Sequence, residues 1–220
     1  MIPETSEQFS LAVTRRLSLD VPSFRQELFG MRGRTAAGDE GDHTVNEGLP
    51  ARPAAVLVPV VARPVPMMLL TQRSSDMPDH SGQIAFPGGK IEAADATPLD
   101  AALREAEEEI GLARQHVRPL GYLLPFLSRT GYLITPVVGL VSPPFDLTLN
   151  PREVTDAFEV PLSFLMDPRN HQRKSREFNG EQRHFYAMPF EDRYIWGITA
   201  GIIRNLWERL TDHEIVEEVG

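Results

Sequence analysis

Between residues 88 and 112 the chain reads GGKIEAADATPLDAALREAEEEIGL, with Glu105, Glu107, Glu108 and Glu109 crowded into one short run. Wound as an ideal helix at about 100° per residue, with Glu105 at zero, Glu108 falls at about −60° and Glu109 at about +40°. Leu99, Ala102, Leu103, Ala106 and Ile110 fall between about 60° and 160°, while Glu107 lands at about 200°, on the far side. Three carboxylates therefore share one arc beside an apolar stripe. Like charges at these spacings repel, and a divalent cation held between them would remove the penalty. A solvated acidic face would give the same REAEEE string. Two features favour a site: the acids abut the stripe that must dock on a core, and Phe86-Pro87-Gly88-Gly89 lies just upstream. Such a turn can offer carbonyls to a cation and amides to a phosphate.

The elements that must position these groups are legible around them. Thr97 at the cap, Pro98 in the first turn and Gly111 past the end predict a helix over Pro98 to Gly111. Ala55 to Val61 and Met67 to Thr71 read as strands bounded by prolines, with Pro59 marking an edge or a bulge. Further strands are expected at Val117 to Pro125 and Tyr132 to Val141. Residues 5 to 29 carry apolar positions at helical spacing (Phe9, Ala12, Val13, Leu17, then Phe24, Leu28), predicting two short helices split near Pro22. Residues 30 to 50, glycine-rich and poor in apolar side chains, read as a connector. After Val141 the pattern is irregular until Ile198 to Leu210, where Ile198, Ile202, Ile203, Leu206 and Leu210 form an amphipathic stripe. That stripe packs either within the chain or against a second copy, so a homodimer stays open. Strands flanked by helices imply an α/β sandwich.

Composition bounds the chemistry. The 220 residues suit one decorated domain. No cysteine is present, which removes disulfides, thiolate nucleophiles and Cys-type metal sites. A formal charge of −9 argues against nucleic acid as a partner. The most apolar stretch, Ala54 to Leu70, is broken by Arg63 and three prolines, so no membrane span is expected. With no secretory signal apparent at the N-terminus, a cytoplasmic location is the expectation.

The acidic segment resembles the Nudix box: a glycine, five residues, a glutamate, seven residues, then R-E-U-x-E-E-x-G-U, with U aliphatic. Gly89, Arg104, Glu105, Glu108, Glu109, Gly111 and Leu112 match. Ala106 stands at the first U, Asp95 replaces the first glutamate, and eight residues separate Asp95 from Arg104. The extra residue is expected in the loop before Pro98, leaving the helix register untouched. The resemblance implies a Nudix-type α/β/α sandwich around a mixed β-sheet over residues 51–212. Residues 1–50 would precede it and 213–220 form a tail. It also implies hydrolysis of a nucleoside diphosphate derivative, a small-molecule substrate, with Mg²⁺ or Mn²⁺. By position, Glu105 and Glu109 are the implied metal ligands and Glu108 a further ligand or the base. The Gly89 carbonyl joins the shell, and Arg104 ties loop to helix.

Residues 69 to 89, LLTQRSSDMPDHSGQIAFPGG, are similar to the signature of the coenzyme A pyrophosphatase branch. Leu69, Leu70, Thr71, Arg73, Ser74, Gly82 and Phe86 to Gly89 fall in register, but Pro78 stands where that branch has a second arginine. Asn150 to Val154 and Phe158 to Leu162 resemble its downstream segment. The implied substrate is coenzyme A or acyl-coenzyme A. ADP-ribose or a nucleotide sugar is the alternative that Pro78 raises, and a non-catalytic ligand-binding module is a third reading. For substrate phosphate the candidates are Arg73, Arg129 and the Gly88 backbone, since an arginine fork makes charge-assisted bonds that proline cannot replace. Glu153 is a distal candidate base. His80 reads as a loop hydrogen-bonding residue, and Phe126 and Tyr132 as packing aromatics rather than stacking platforms for adenine.

Overall fold

The computed structural model describes residues 3–22, 51–76, 81–128, 130–178 and 181–211. The second N-terminal helix expected around Phe24 and Leu28, the 30–50 connector, the 213–220 tail, Pro78, His80 and Arg129 lie outside the described residues.

The chain opens with helix α1 (Ser6–Arg16), capped by Thr5, whose side chain accepts from the Gln8 amide. An eight-stranded sheet follows, formed by β1 (Arg52–Val61), β2 (Met67–Arg73), β3 (Ile84–Ala85), β4 (Gly88–Lys90), β5 (Val117–Tyr122), β6 (Phe126–Leu127), β7 (Tyr132–Val141) and β8 (Val154–Pro161). Helix α2 (Pro98–Ile110) lies between β4 and β5. A short turn of helix α3 (Leu162–Leu165) leads to a three-stranded sheet, β9 (Gln172–Phe178), β10 (Glu181–Phe190) and β11 (Arg193–Trp196), and α4 (Gly197–Thr211) closes the described chain.

The large sheet is mixed: β1 and β7 run parallel through ten paired residues, while the other pairings are antiparallel. Its apolar side chains alternate between two layers, as the period of a strand requires. Val58, Val60, Met68 and Leu70 face α1 and α4, joining Phe9, Val13, Ile202, Ile203, Leu206 and Leu210. Ala55, Leu57, Val61 and Leu69 face α2, joining Ala102, Leu103, Ala106 and Ile110. The expected α/β/α sandwich around a mixed sheet is the observed fold. The Ile198 to Leu210 stripe packs inside the chain, with Ile202, Ile203, Leu206 and Leu210 all buried.

Strands β1 and β2 pair only at Val60–Met68 and Val61–Met67 and then part. The segment from Ile84 to Lys90 fills the fork, β3 pairing with β2 and β4 with β1. This corrects the expectation for Pro59. It lies neither on an edge nor in a bulge, but opposite Gly139 in the unbroken β1–β7 ladder. Backbone amides alternate sides along a strand, and the Leu57 amide donates to Pro87 in the fork. The Pro59 nitrogen therefore faces the same gap, where β1 changes partner and no ladder bond is lost.

Two other expectations shift. The strand expected to reach Pro125 stops at Tyr122 and resumes at Phe126–Leu127. The irregular stretch after Val141 holds β8 to β11, which polar strands such as QRKSREF conceal.

Candidate active site

Helix α2 forms as expected. The Thr97 side chain accepts from the Asp100 amide at 3.2 Å, and Gly111 ends the helix in the left-handed region at φ 70°. The three carboxylates are graded by their angle from the apolar stripe. Side-chain exposure is 5 % for Glu109, 16 % for Glu105 and 56 % for Glu108. They share an arc without converging: Glu108 turns outward and accepts from Arg104 Nη1 at 2.9 Å.

The fork between β1 and β2 supplies the other wall. The Gly88 amide donates to Glu109 Oε2 at 3.2 Å. A Cβ at Gly88 would run into Ala55 and Val56 of β1, and one at Gly89 would overlap the Glu105 carboxylate. The paired glycines thus let the backbone reach both acids. Arg73, at the end of β2, brings Nη1 to 3.9 Å from Glu109 Oε1.

Arg104 binds four groups from one guanidinium. It donates to Asp95 through Nε and Nη2, to the Lys90 carbonyl at 3.0 Å, to Glu105 at 3.0 Å and to Glu108. Loop and helix are joined there. The hydrogen bonds from Arg104 hold the Asp95 carboxyl below its usual range.

Glu153 ends the turn that leads into β8. Loop residues close the end of α2: the Thr148 amide donates to the Ile110 carbonyl and the Asn150 amide to the Glu109 carbonyl, both at 2.9 Å. The Asn150 carbonyl then accepts the Glu153 amide, and the Glu153 carbonyl accepts the Ser74 amide at 2.8 Å. The turn carrying Glu153 is thereby fastened both to Glu109 and to the end of β2. Sequence alone did not single out Thr148, and it named Asn150 only as the start of the 150–154 segment, without its contact to the end of α2.

Burial pushes the Glu109 carboxyl up to about 8, with Glu105 and Glu153 adding repulsion against the opposing pull of the Gly88 amide and Arg73. Burial likewise raises Glu105, opposed by Arg104 and reinforced by Glu108 and Glu153. Glu105, Glu109 and Glu153 thus form one repelling group. An all-oxygen set of partly buried carboxylates that repel one another suits a hard divalent cation. Among the described residues, no three His, Asp or Glu side chains close on a common point.

The remaining candidates resolve differently. Phe126 is buried in the core, and Tyr132 lies under the Arg52 guanidinium, 4.0 Å from its ring centre, so both do packing work. Among the described residues no helix is long and apolar enough to cross a membrane.

Residues 51–181 match the family model of the NUDIX domain. A Nudix hydrolase NudL from Photorhabdus laumondii is 43 % identical over 159 residues, covering 72 % of this chain and 85 % of that protein. The chain belongs to the Nudix hydrolase family. The NudL of Escherichia coli strain K12 is 42 % identical over 160 residues, covering 73 % of this chain and 83 % of its own. A solved MutT/nudix family protein from Enterococcus faecalis superposes with a TM-score of 0.49 at 14 % identity, over 94 % of this chain and 75 % of that one. As a Nudix hydrolase the protein acts on a phosphoric anhydride in a nucleotide-derived substrate, and members of this family generally use divalent metal ions.

Proposed function

We propose that the protein cleaves the diphosphate of coenzyme A or acyl-coenzyme A, giving adenosine 3′,5′-bisphosphate and 4′-phosphopantetheine or its acyl form. The observation that carries a diphosphate reaction is that the Gly88-Gly89 backbone and Arg73 reach the Glu105 and Glu109 carboxylates, with the Glu153 charge acting on both. The coenzyme A reading rests on the 69 to 89 segment, whose FPGG end threads the fork against those acids.

Glu105 and Glu109 would hold Mg²⁺ or Mn²⁺ with the Gly89 carbonyl as a further ligand, Glu108 being turned outward to Arg104, and the ion would neutralise diphosphate charge and acidify water. Arg73 would take phosphate charge from the β2 side, the Gly88 backbone would border the substrate, and Arg129 is a second phosphate candidate. Water attacks one phosphorus, the bridging P–O bond breaks, and a carboxylate takes the water's proton. Glu153 is the favoured base, because it stands by Glu105 and Glu109 while Arg104 occupies Glu108. A positioned base of this kind contributes about 10²–10⁴-fold. Pro78 favours a second reading, hydrolysis of ADP-ribose or a nucleotide sugar, since one arginine fork for phosphate is missing from the segment.

The test is incubation with coenzyme A, acetyl-coenzyme A, ADP-ribose and NADH under Mg²⁺ or Mn²⁺, with products identified by mass. Adenosine 3′,5′-bisphosphate from the first two supports the proposal. Cleavage of ADP-ribose or NADH alone moves the assignment to the second reading, and metal-dependent binding without any product leaves a binding module. Glu105→Gln should nearly abolish turnover while the fold persists.

A further inference from the structure

Strand β8 carries one residue more than β2 at a single point. Gln72 pairs with Asp156 and Arg73 with Val154, so Thr155 is the bulged residue, its hydroxyl reaching the Gln72 carbonyl at 3.3 Å. A bulge re-aims the chain beyond it. Beyond this one, past the buried Val154, come residues that border the acidic site. Arg73 turns to Glu109, the Ser74 amide meets the Glu153 carbonyl, and the Glu153 charge raises both Glu105 and Glu109.

The last regular pair before the bulge is clamped from outside the sheet. Arg193, the first residue of β11, donates through Nη1 to Gln72 Oε1 at 2.8 Å and through Nη2 to Asp156 Oδ2 at 2.6 Å. Its guanidinium carbon sits 4.4 Å from the Phe158 ring centre, two residues further along β8. Asp192 is a weaker neighbour at 3.5 Å. One planar group thus ties both strands of the pair and stacks on the second. A lysine ammonium on a flexible stem has no fixed fork with which to hold both partners at once.

We infer that Arg193 is a positioning residue for the hydrolytic site: it fixes the β2–β8 bulge and thereby sets where Arg73 and Glu153 stand against Glu109. The inference rests on the diphosphate-hydrolase reading for its effect on turnover, but its structural half stands apart from it. Arg193 touches neither the acids nor Arg73 in any described contact; its influence passes through Gln72 and Asp156. Small misplacements of a reacting group cost about 10²-fold.

The experiment compares the full chain with Arg193→Ala and Arg193→Lys in two measurements. The first is amide hydrogen exchange at Ser74, against amides in the middle of α2 as an internal control. Arg193→Ala should speed Ser74 exchange at least 10-fold while α2 keeps its protection. Equal exchange at Ser74, or equal acceleration in α2, overturns the inference. The second is steady-state hydrolysis of whichever diphosphate the wild type cleaves. Arg193→Ala should lower kcat by roughly 10- to 100-fold with a smaller change in KM, and Arg193→Lys should recover only part. Turnover within two-fold of wild type overturns the positioning role. A wild type inactive on every diphosphate refutes the hydrolase reading instead, and the exchange result still decides whether Arg193 holds the bulge.

Discussion

Asp95 receives two hydrogen bonds from Arg104, Nε to Oδ1 at 3.1 Å and Nη2 to Oδ2 at 3.0 Å. The shorter acid standing where the family pattern has glutamate still meets the guanidinium fork with both oxygens, and its own loop braces it. The Glu92 amide donates to Asp95 Oδ2 at 2.8 Å, and the Asp95 amide donates back to the Glu92 carbonyl. The additional residue lies after this turn, between Asp95 and Arg104, and α2 starts at Pro98 with its Thr97 cap in place.

Removing that fork should loosen the loop on the helix. Asp95→Ala is expected to destabilise the protein by about 1.5–3 kcal/mol, the range for hydrogen bonds to charged groups. Asp95→Asn, keeping the shape but not the charge, should lie between. Urea unfolding midpoints read this directly, and an unchanged midpoint for Asp95→Ala would contradict a joining role for Arg104.

The raised Glu109 carboxyl makes stability depend on pH in a definite direction. Its folded value of about 8 exceeds its unfolded one of 4.5, so the folded state holds the proton more tightly. Metal-free protein should therefore be most stable below about pH 4.5 with respect to this group, lose stability as pH rises toward 8, and level off above. Glu109→Gln should flatten that slope. Glu153→Gln should reduce it by removing one repelling neighbour, leaving burial as the main cause. Thermal unfolding in a chelator between pH 5 and 9 provides the check (about the range where the carboxyl titrates).

At Gly89 the expected outcome separates activity from stability. An alanine methyl there would overlap the Glu105 carboxylate, the far end of a flexible side chain that can swing away cheaply. Gly89→Ala should therefore fold with little loss, yet displace Glu105 and lower turnover by roughly 10-fold or more, a scale at which misplaced groups act. Wild-type turnover in this variant would mean that the position of Glu105 is unimportant.

The cap of α2 offers a cleaner energetic test. Thr97 accepts from the Asp100 amide and donates to Asp100 Oδ2 at 2.8 Å, so Thr97→Ala removes both bonds at the helix start. A loss of about 1 kcal/mol is expected, with Thr97→Ser recovering most of it. Differential scanning calorimetry of the three proteins measures the effect.

The primary structure by itself determined what local periodicity and short-range chemistry can carry. The span of α2, its cap and stop, the angular order of Glu109, Glu105 and Glu108, and the β7 boundaries all follow from repeat spacing and punctuation within a few residues. Tertiary structure decided whatever depends on partners far along the chain. Pro59 is acceptable because a fork opens beside it, which no reading of β1 alone reveals. Glu108 turns to Arg104 rather than joining its neighbours, since a guanidinium anchored at Asp95 stands within reach. Glu153 and Arg193 enter only because β8 bulges against β2 and β11 folds back over that pair. Side-chain period is local and so is written in adjacent residues. Burial, repulsion and close approach are sums over neighbours brought together by folding, and these turn an acidic stripe into a site.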